Sequence, residues 1–244
     1  MFINFRGKQI PVTVSDPPKW EEALETNLIP NWLNSLDSTF NLKSIELQSV
    51  DRFTSGRVGF VKIKATLEIN NKIVDRVILL RGAAVTLLLE ITDEDTNEKW
   101  TVLVKQPRVP TGESGFLEIP AGMVDGTTGD FRGIAIKELE EECGIHANAK
   151  DLIDLTQLAY GDEYPGIYFV GYVSDEYLRF YLWRTKLPHD EIVRINGRIG
   201  GEDEHEQIVL KLVKFEEAEK ITSDTKLLVA LALMNGLKSE GKLP

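Results

Sequence analysis

The 244-residue chain carries 39 Asp and Glu against 28 Lys and Arg, a net charge of -11 that would repel nucleic acid or an anionic membrane over most of the surface. A hydrophobic content of 42% is enough for one large core or two modest ones, and a single cysteine excludes an intrachain disulfide. No apolar run reaches the roughly 18 residues of a membrane span, and the opening MFINFRGKQIPVTV lacks signal-peptide architecture, so a cytoplasmic protein is expected.

Residues 3–14 alternate as one strand, which Asp16-Pro17-Pro18 breaks. Residues 20–36 have helical spacing interrupted at Pro30, with Trp20, Leu24, Leu28, Trp32 and Leu36 on the apolar side. Three strands follow over residues 44–50, 59–69 and 72–80, the last two joined by an Asn70-Asn71 hairpin turn. Successive strands without a helix make a sheet of their own. Residues 1–80 therefore read as a helix plus antiparallel β domain, and Arg81-Gly82 opens a second domain over residues 81–244.

In that second part, residues 83–91 and 100–105 are partner strands across the polar turn 93–97. Residues 151–157, 167–172, 178–185 and 208–213 read as further strands, with Trp183 packing. The chain closes with a helix over 223–237, whose Leu227, Leu228, Leu231 and Met234 pack on the sheet.

Between these strands lies the stretch GMVDGTTGDFRGIAIKELEEECGI, residues 122–145. Asp130 suits a helix N-cap and Gly144 the left-handed residue that ends one. Glu138, Glu141 and Glu142 then share one side at three- and four-residue spacing, and Ile136, Leu139 and Cys143 another. Cys143 is accordingly a core residue. Like charges at this spacing repel, and no Lys or Arg follows a turn later. A divalent cation neutralises such a cluster best, and oxygen-only ligands select a hard ion, Mg2+ or Mn2+.

The run Lys137-Glu138-Leu139-Glu140-Glu141-Glu142-Cys143-Gly144-Ile145 resembles the second half of the Nudix hydrolase signature, with Lys in place of Arg. The first half departs further: Gly122 lies one residue upstream, and Gly129 or Asp130 fills the first Glu position. Gln106-Pro107-Arg108 and Glu118-Ile119-Pro120-Ala121-Gly122 are similar to the ADP-sugar diphosphatase branch of that family. The extra residue in GMVDGTTGDF matches the plant-type members, as do residues 50–65 and 81–85.

The resemblance implies an α/β (α+β) fold, an α/β/α sandwich with a mixed sheet behind a small N-terminal β-rich domain, in a homodimer joined partly through that domain. It implies Mg2+ held by Glu138, Glu141, Glu142 and the Ala121 carbonyl, with Glu141 also counted as catalytic. Arg108, Arg81 and Glu118 would bind the substrate. Arg108, at a strand end, is suited to hold a diphosphate with two hydrogen bonds; the alternative is a surface arginine paired with an acid. In the acidic stretch 200–207, Glu206 or Glu204 would take the proton from water, and His205 is incidental. Ser174-Asp175-Glu176 stands where the family has a Ser-Pro-Gly turn followed by acids, so Glu176 is a minor candidate. The implied reaction is hydrolysis of ADP-ribose or ADP-glucose to AMP and a sugar phosphate. Two alternatives stay open: a Nudix hydrolase of another nucleoside diphosphate derivative, and a non-catalytic nucleotide-sensing module.

Overall fold

The computed structural model describes residues 1–124, 130–201 and 208–243. The chain forms two compact units. Met1–Ala83 and the later segment Tyr168–Tyr177 make the first; Ala84–Val124, Asp130–Ile167 and Leu178–Pro244 make the second. The sequence reading placed its boundary at residue 81 and did not foresee that residues 168–177 return to the first unit.

The first unit holds β1 (Phe2–Phe5), β2 (Lys8–Val14), α1 (Pro17–Glu25), α2 (Leu28–Ser35), β3 (Asn41–Arg52), β4 (Val58–Ile69) and β5 (Lys72–Leu80). Their sheet order is β1-β2-β3-β4-β5, antiparallel except for the β2–β3 pair, which runs parallel. The expected single strand over 3–14 is a hairpin instead, turned at Arg6 and Gly7, both at positive φ. The break between α1 and α2 falls at Asn27 (φ 60°), not at Pro30. Pro30 sits in the first turn of α2, where its missing N–H is an orphan in any helix. Asn70 and Asn71 turn the β4–β5 hairpin at φ 52° and 61°, a left-handed pair that Asn tolerates well. Trp20, Ile29 and Trp32 on the helices bury against Ile45, Ile63 and Leu80 of the sheet.

The second unit contains β6 (Ala83–Asp93), β7 (Lys99–Arg108), β8 (Glu113–Glu118), β9 (Ala121–Met123), α3 (Phe131–Cys143), β10 (Leu152–Asp154), α4 (Leu155–Tyr160), β11 (Ile167–Tyr168), β12 (Tyr177–Leu187), α5 (His189–Ile195), β13 (Ile199–Gly200), β14 (Ile208–Lys214), α6 (Ala218–Ile221) and α7 (Thr225–Ser239). A few of these elements reach a residue across the division into units. The sheet runs β10-β12-β6-β7-β14-β13, with β8 on β7, β9 on β6 and β11 on β12. On β6, alternate residues Val85, Leu87, Leu89 and Ile91 bury against Ala135, Leu139 and Cys143 of α3 and Ile192 and Ile195 of α5. Glu90, of the opposite alternation, meets Lys238 of α7. The sheet is thus covered on both faces, the α/β/α arrangement expected.

Two expected strands are mostly something else. Residues 151–157 give a three-residue strand and then α4, because Asp154 caps the helix by accepting from the Gln157 N–H at 2.8 Å. Of residues 167–172, only 167 and 168 are strand. The short α5 was not read from the sequence at all. On α7, Leu227, Leu231 and Met234 are buried, but Leu228 is exposed. Among the described residues no helix is long and apolar enough to cross a membrane.

Asp93 ends β6 fully buried, accepting from the backbone N–H groups of Asp95 (2.9 Å) and Thr96 (3.2 Å) and pairing with His189 Nδ1 at 2.7 Å. The bond to His189 chiefly, helped by those N–H groups, holds the Asp93 carboxyl down at about 2, and the same bond raises the His189 imidazole. The depressed Asp93 supports the fold above its ordinary 3.8, a contribution lost as pH falls toward 2. The raised His189 supports it below 6.5, a contribution lost as pH rises through the folded value. His189→Gln is therefore expected to lower the thermal midpoint at about pH 5 and to have little effect at about pH 9. Equal lowering at both would contradict it.

Candidate active site

The helix α3 forms as its caps dictate. Asp130 accepts from the Gly133 N–H at 2.9 Å, and Gly144, at φ 61°, donates its N–H to Glu140 O at 2.9 Å. Leu139 and Cys143 face the core, and burial pushes the Cys143 thiol well up, as befits an inert core residue.

The three glutamates of the acidic side fare differently. Glu142 turns inward, only 7% exposed, and accepts from the Ala121 N–H at 3.2 Å. Glu138 lies over Gly122, so closely that a side-chain carbon there would overlap its carboxyl group. The strand β9 and the last turns of α3 are thereby brought together through Ala121 and Gly122. Glu141 instead pairs with Lys137 at 2.9 Å, one turn earlier on the helix. This corrects the sequence reading, which looked for a relieving cation only a turn later.

Burial first, then the neighbouring Glu138 charge, raises the Glu142 carboxyl to about 8; the Ala121 N–H and Arg108 oppose this, and Glu118 adds to it. Among the described residues no three His, Cys, Asp or Glu side chains are gathered as a metal cage. The donor set nonetheless fits a hard divalent cation: two adjacent carboxylates, one of them nearly buried and poorly ionised alone, both set against the backbone of β9.

A second cluster adjoins the first. Arg108, at the end of β7, reaches Glu118, at the end of β8, through Nε at 2.6 Å and Nη2 at 2.5 Å, both to Oε1. Glu118 Oε2 accepts from Lys226 Nζ at 2.6 Å, and Lys226 also meets Asp224 at 3.0 Å. Glu118 is 3% exposed, and both its oxygens are taken by cations. Arg108 keeps 41% of its side chain open to solvent.

Sequence reasoning missed Lys226 and Asp224. No local spacing links residue 226 to residue 118. One signal was available: a lysine in the first turn of a helix opposes the helix dipole and asks for a nearby acid.

Arg81 belongs to the first unit. Its backbone N–H donates to Asp175 Oδ1 at 2.7 Å, its Nε lies 3.0 Å from Glu176 Oε1, and its guanidinium stands 5.2 Å from the centre of the Phe60 ring. Asp175 also accepts from the Gly82 N–H at 3.2 Å, and burial raises its carboxyl. The departure from Ser-Pro-Gly thus supplies acids that hold Arg81. Glu204, Glu206, His205 and Gly129 lie outside the described residues. On the near flank of the acidic stretch, the Gly201 N–H donates to Glu141 O at 3.0 Å.

The sequence profile of the NUDIX domain matches residues 81–231. Nudix hydrolase 14, chloroplastic, of Arabidopsis thaliana is 35% identical, over 91% of this chain and 74% of that protein. Among solved structures, a C. elegans Ap4A hydrolase binary complex is similar at 16% identity and a TM-score of 0.41, covering 65% of this chain and 98% of the other. The NUDIX domain of Shewanella oneidensis NrtR complexed with ADP ribose is similar at 11% identity and a TM-score of 0.43, covering 63% and 86%.

Proposed function

The chain belongs to the Nudix hydrolase family, and we propose that within it this protein hydrolyses the diphosphate of ADP-sugars, ADP-ribose and ADP-glucose, to AMP and a sugar phosphate. Hydrolases of the family act on nucleoside diphosphate derivatives and use divalent metal ions. The ion proposed here is Mg2+, with Glu138, Glu141, Glu142 and the Ala121 carbonyl as the residues that would hold it. When bound, it supplies an acidified water and offsets negative charge on the phosphates.

The single observation that carries this reading is the buried Glu142 beside Glu138 at β9, next to the Arg108–Glu118 pair. A nearly buried carboxylate that ionises poorly on its own is a site made for an added cation. Arg108 is half exposed, and its planar fork suits two phosphate oxygens at once. Arg81, held by Asp175 and Glu176 within the first unit, is proposed as a substrate residue on the sequence resemblance alone. Water attacks one phosphorus, Glu206 or Glu204 takes the proton, and AMP leaves as one of the two monophosphates. The protein acts as a homodimer joined partly through residues 1–80.

A panel of ADP-ribose, ADP-glucose, a dinucleoside polyphosphate and an oxidised nucleoside triphosphate, each with Mg2+, tests the substrate class. AMP release fastest from an ADP-sugar is the expected result, and the ratio of the two rates names the sugar. Faster turnover of the polyphosphate or the triphosphate would overturn the ADP-sugar reading.

A further inference from the structure

We propose that Lys226 is a positioning residue of the diphosphate site: it shares Glu118 with Arg108 and keeps that carboxylate neutralised when Arg108 turns to the phosphates. Lys226 has this task only if Arg108 holds the diphosphate, as proposed above.

Glu118 is held by two cations on two oxygens, Arg108 on Oε1 and Lys226 on Oε2. It is 3% exposed, and a carboxylate so buried cannot shed both partners and keep its charge. Of the two cations, Arg108 is the one within reach of a substrate, 41% exposed at a strand end, whereas Lys226 is 17% exposed in the first turn of α7.

That turn is bound to the end of β8 at three successive residues. Thr222 Oγ1 donates to Leu117 O, Lys226 to the Glu118 carboxylate, and the Ile119 N–H to Asp224 Oδ2 at 3.0 Å. Asp224, the other acid beside Lys226, already accepts the N–H groups of Ile119, Lys226 and Leu227. Its charge is stabilised by the helix N-terminus, which leaves the lysine's charge for Glu118. Releasing Arg108 to an anionic substrate therefore leaves the Glu118 carboxylate still paired with the Lys226 ammonium, which also meets Asp224 at 3.0 Å. Without Lys226, Arg108 is needed where it is, and the diphosphate must compete with Glu118 for it.

The test measures KM and kcat for ADP-ribose with Mg2+ on the full chain. Lys226→Met is expected to raise KM about tenfold or more with a much smaller change in kcat, because the loss falls on freeing Arg108 rather than on the chemical step. Lys226→Arg, which preserves the charge, is expected to restore KM to within about threefold of the original. Arg108→Ala is run alongside. If it leaves KM unchanged, the diphosphate reading of Arg108 falls and Lys226 loses its task. If Arg108→Ala raises KM while Lys226→Met stays within about twofold of the original, only the role of Lys226 falls. Should Lys226→Met not fold, Glu118→Gln and Glu118→Gln/Lys226→Met carry the test, since an amide needs no counter-charge. Equal KM in those two is expected; a clearly higher KM in the double variant would show Lys226 acting other than through Glu118 and overturn the proposal.

Discussion

Glu142→Gln is expected to lower kcat for ADP-ribose by about a thousandfold, roughly 4 kcal/mol of barrier, and to leave the metal-free fold at least as stable as before. The two effects have one origin. The carboxyl is buried beside Glu138, and both circumstances raise it to about 8. An acid whose folded value is raised binds its proton more tightly folded than unfolded. Its favourable contribution is then full below the ordinary 4.5 and is lost as pH rises toward 8. An amide carries no such slope. In EDTA, the thermal midpoint of Glu142→Gln should therefore gain on that of the original protein between about pH 5 and pH 8. With Mg2+ the order should reverse, since a bound cation stabilises only the protein that holds it well. Turnover near the original rate would remove Glu142 from the metal site.

Gly200→Ala is expected to cost about 3 kcal/mol of stability and most of the activity, from one added methyl group. Gly200 lies in β13, against the last turn of α3. A Cβ at this position would stand 2.7 Å from the carbonyl carbon of Glu142 and nearer still to its oxygen. Those are backbone atoms, so no side-chain rotation relieves the overlap. Either β13 or the end of α3 must shift, and that turn carries Glu141 and Glu142. Gly236→Ala is the control. It lies inside α7 with open space where the Cβ would go, so it is expected to stabilise by about 0.5–1 kcal/mol. The two variants compared by thermal unfolding separate close approach from glycine entropy. A Gly200→Ala protein as stable as its parent would contradict the packing described here.

Local chemistry made much of the fold legible. The hairpin at Asn70-Asn71 announces itself, because both residues tolerate the left-handed backbone, and β5 spans the residues expected, 72–80. Asp130 and Gly144 mark the ends of α3 for equally local reasons. Where the reading failed, a locally unremarkable residue had been given an unusual position by its surroundings. Arg6 turns a hairpin at φ 49°, a conformation that arginine does not advertise, and so two strands read as one. Asn27 rather than Pro30 separates the first helices, since proline is harmless in a first turn.

The site divides along the same line. Helical spacing put Glu138, Glu141 and Glu142 on one side but could not say that Glu142 turns inward to Ala121 while Glu141 turns to Lys137. Spacing gives direction around an axis; burial depends on what the tertiary fold lays over it. Glu118 and Arg108 were singled out by the local motifs that resemble the ADP-sugar branch, and the structure sets them on paired strands. Lys226 was not, because only the docking of α7 on the end of β8 brings it there.

The most direct measurement is release of AMP from ADP-ribose by one preparation assayed with Mg2+, then with excess EDTA, then with Mg2+ restored. The proposed function predicts rapid release, its loss in EDTA, and its return. Release that persists undiminished in EDTA, or no release in either condition from protein that still binds ADP-ribose by calorimetry, would contradict metal-dependent diphosphate hydrolysis at Glu138 and Glu142.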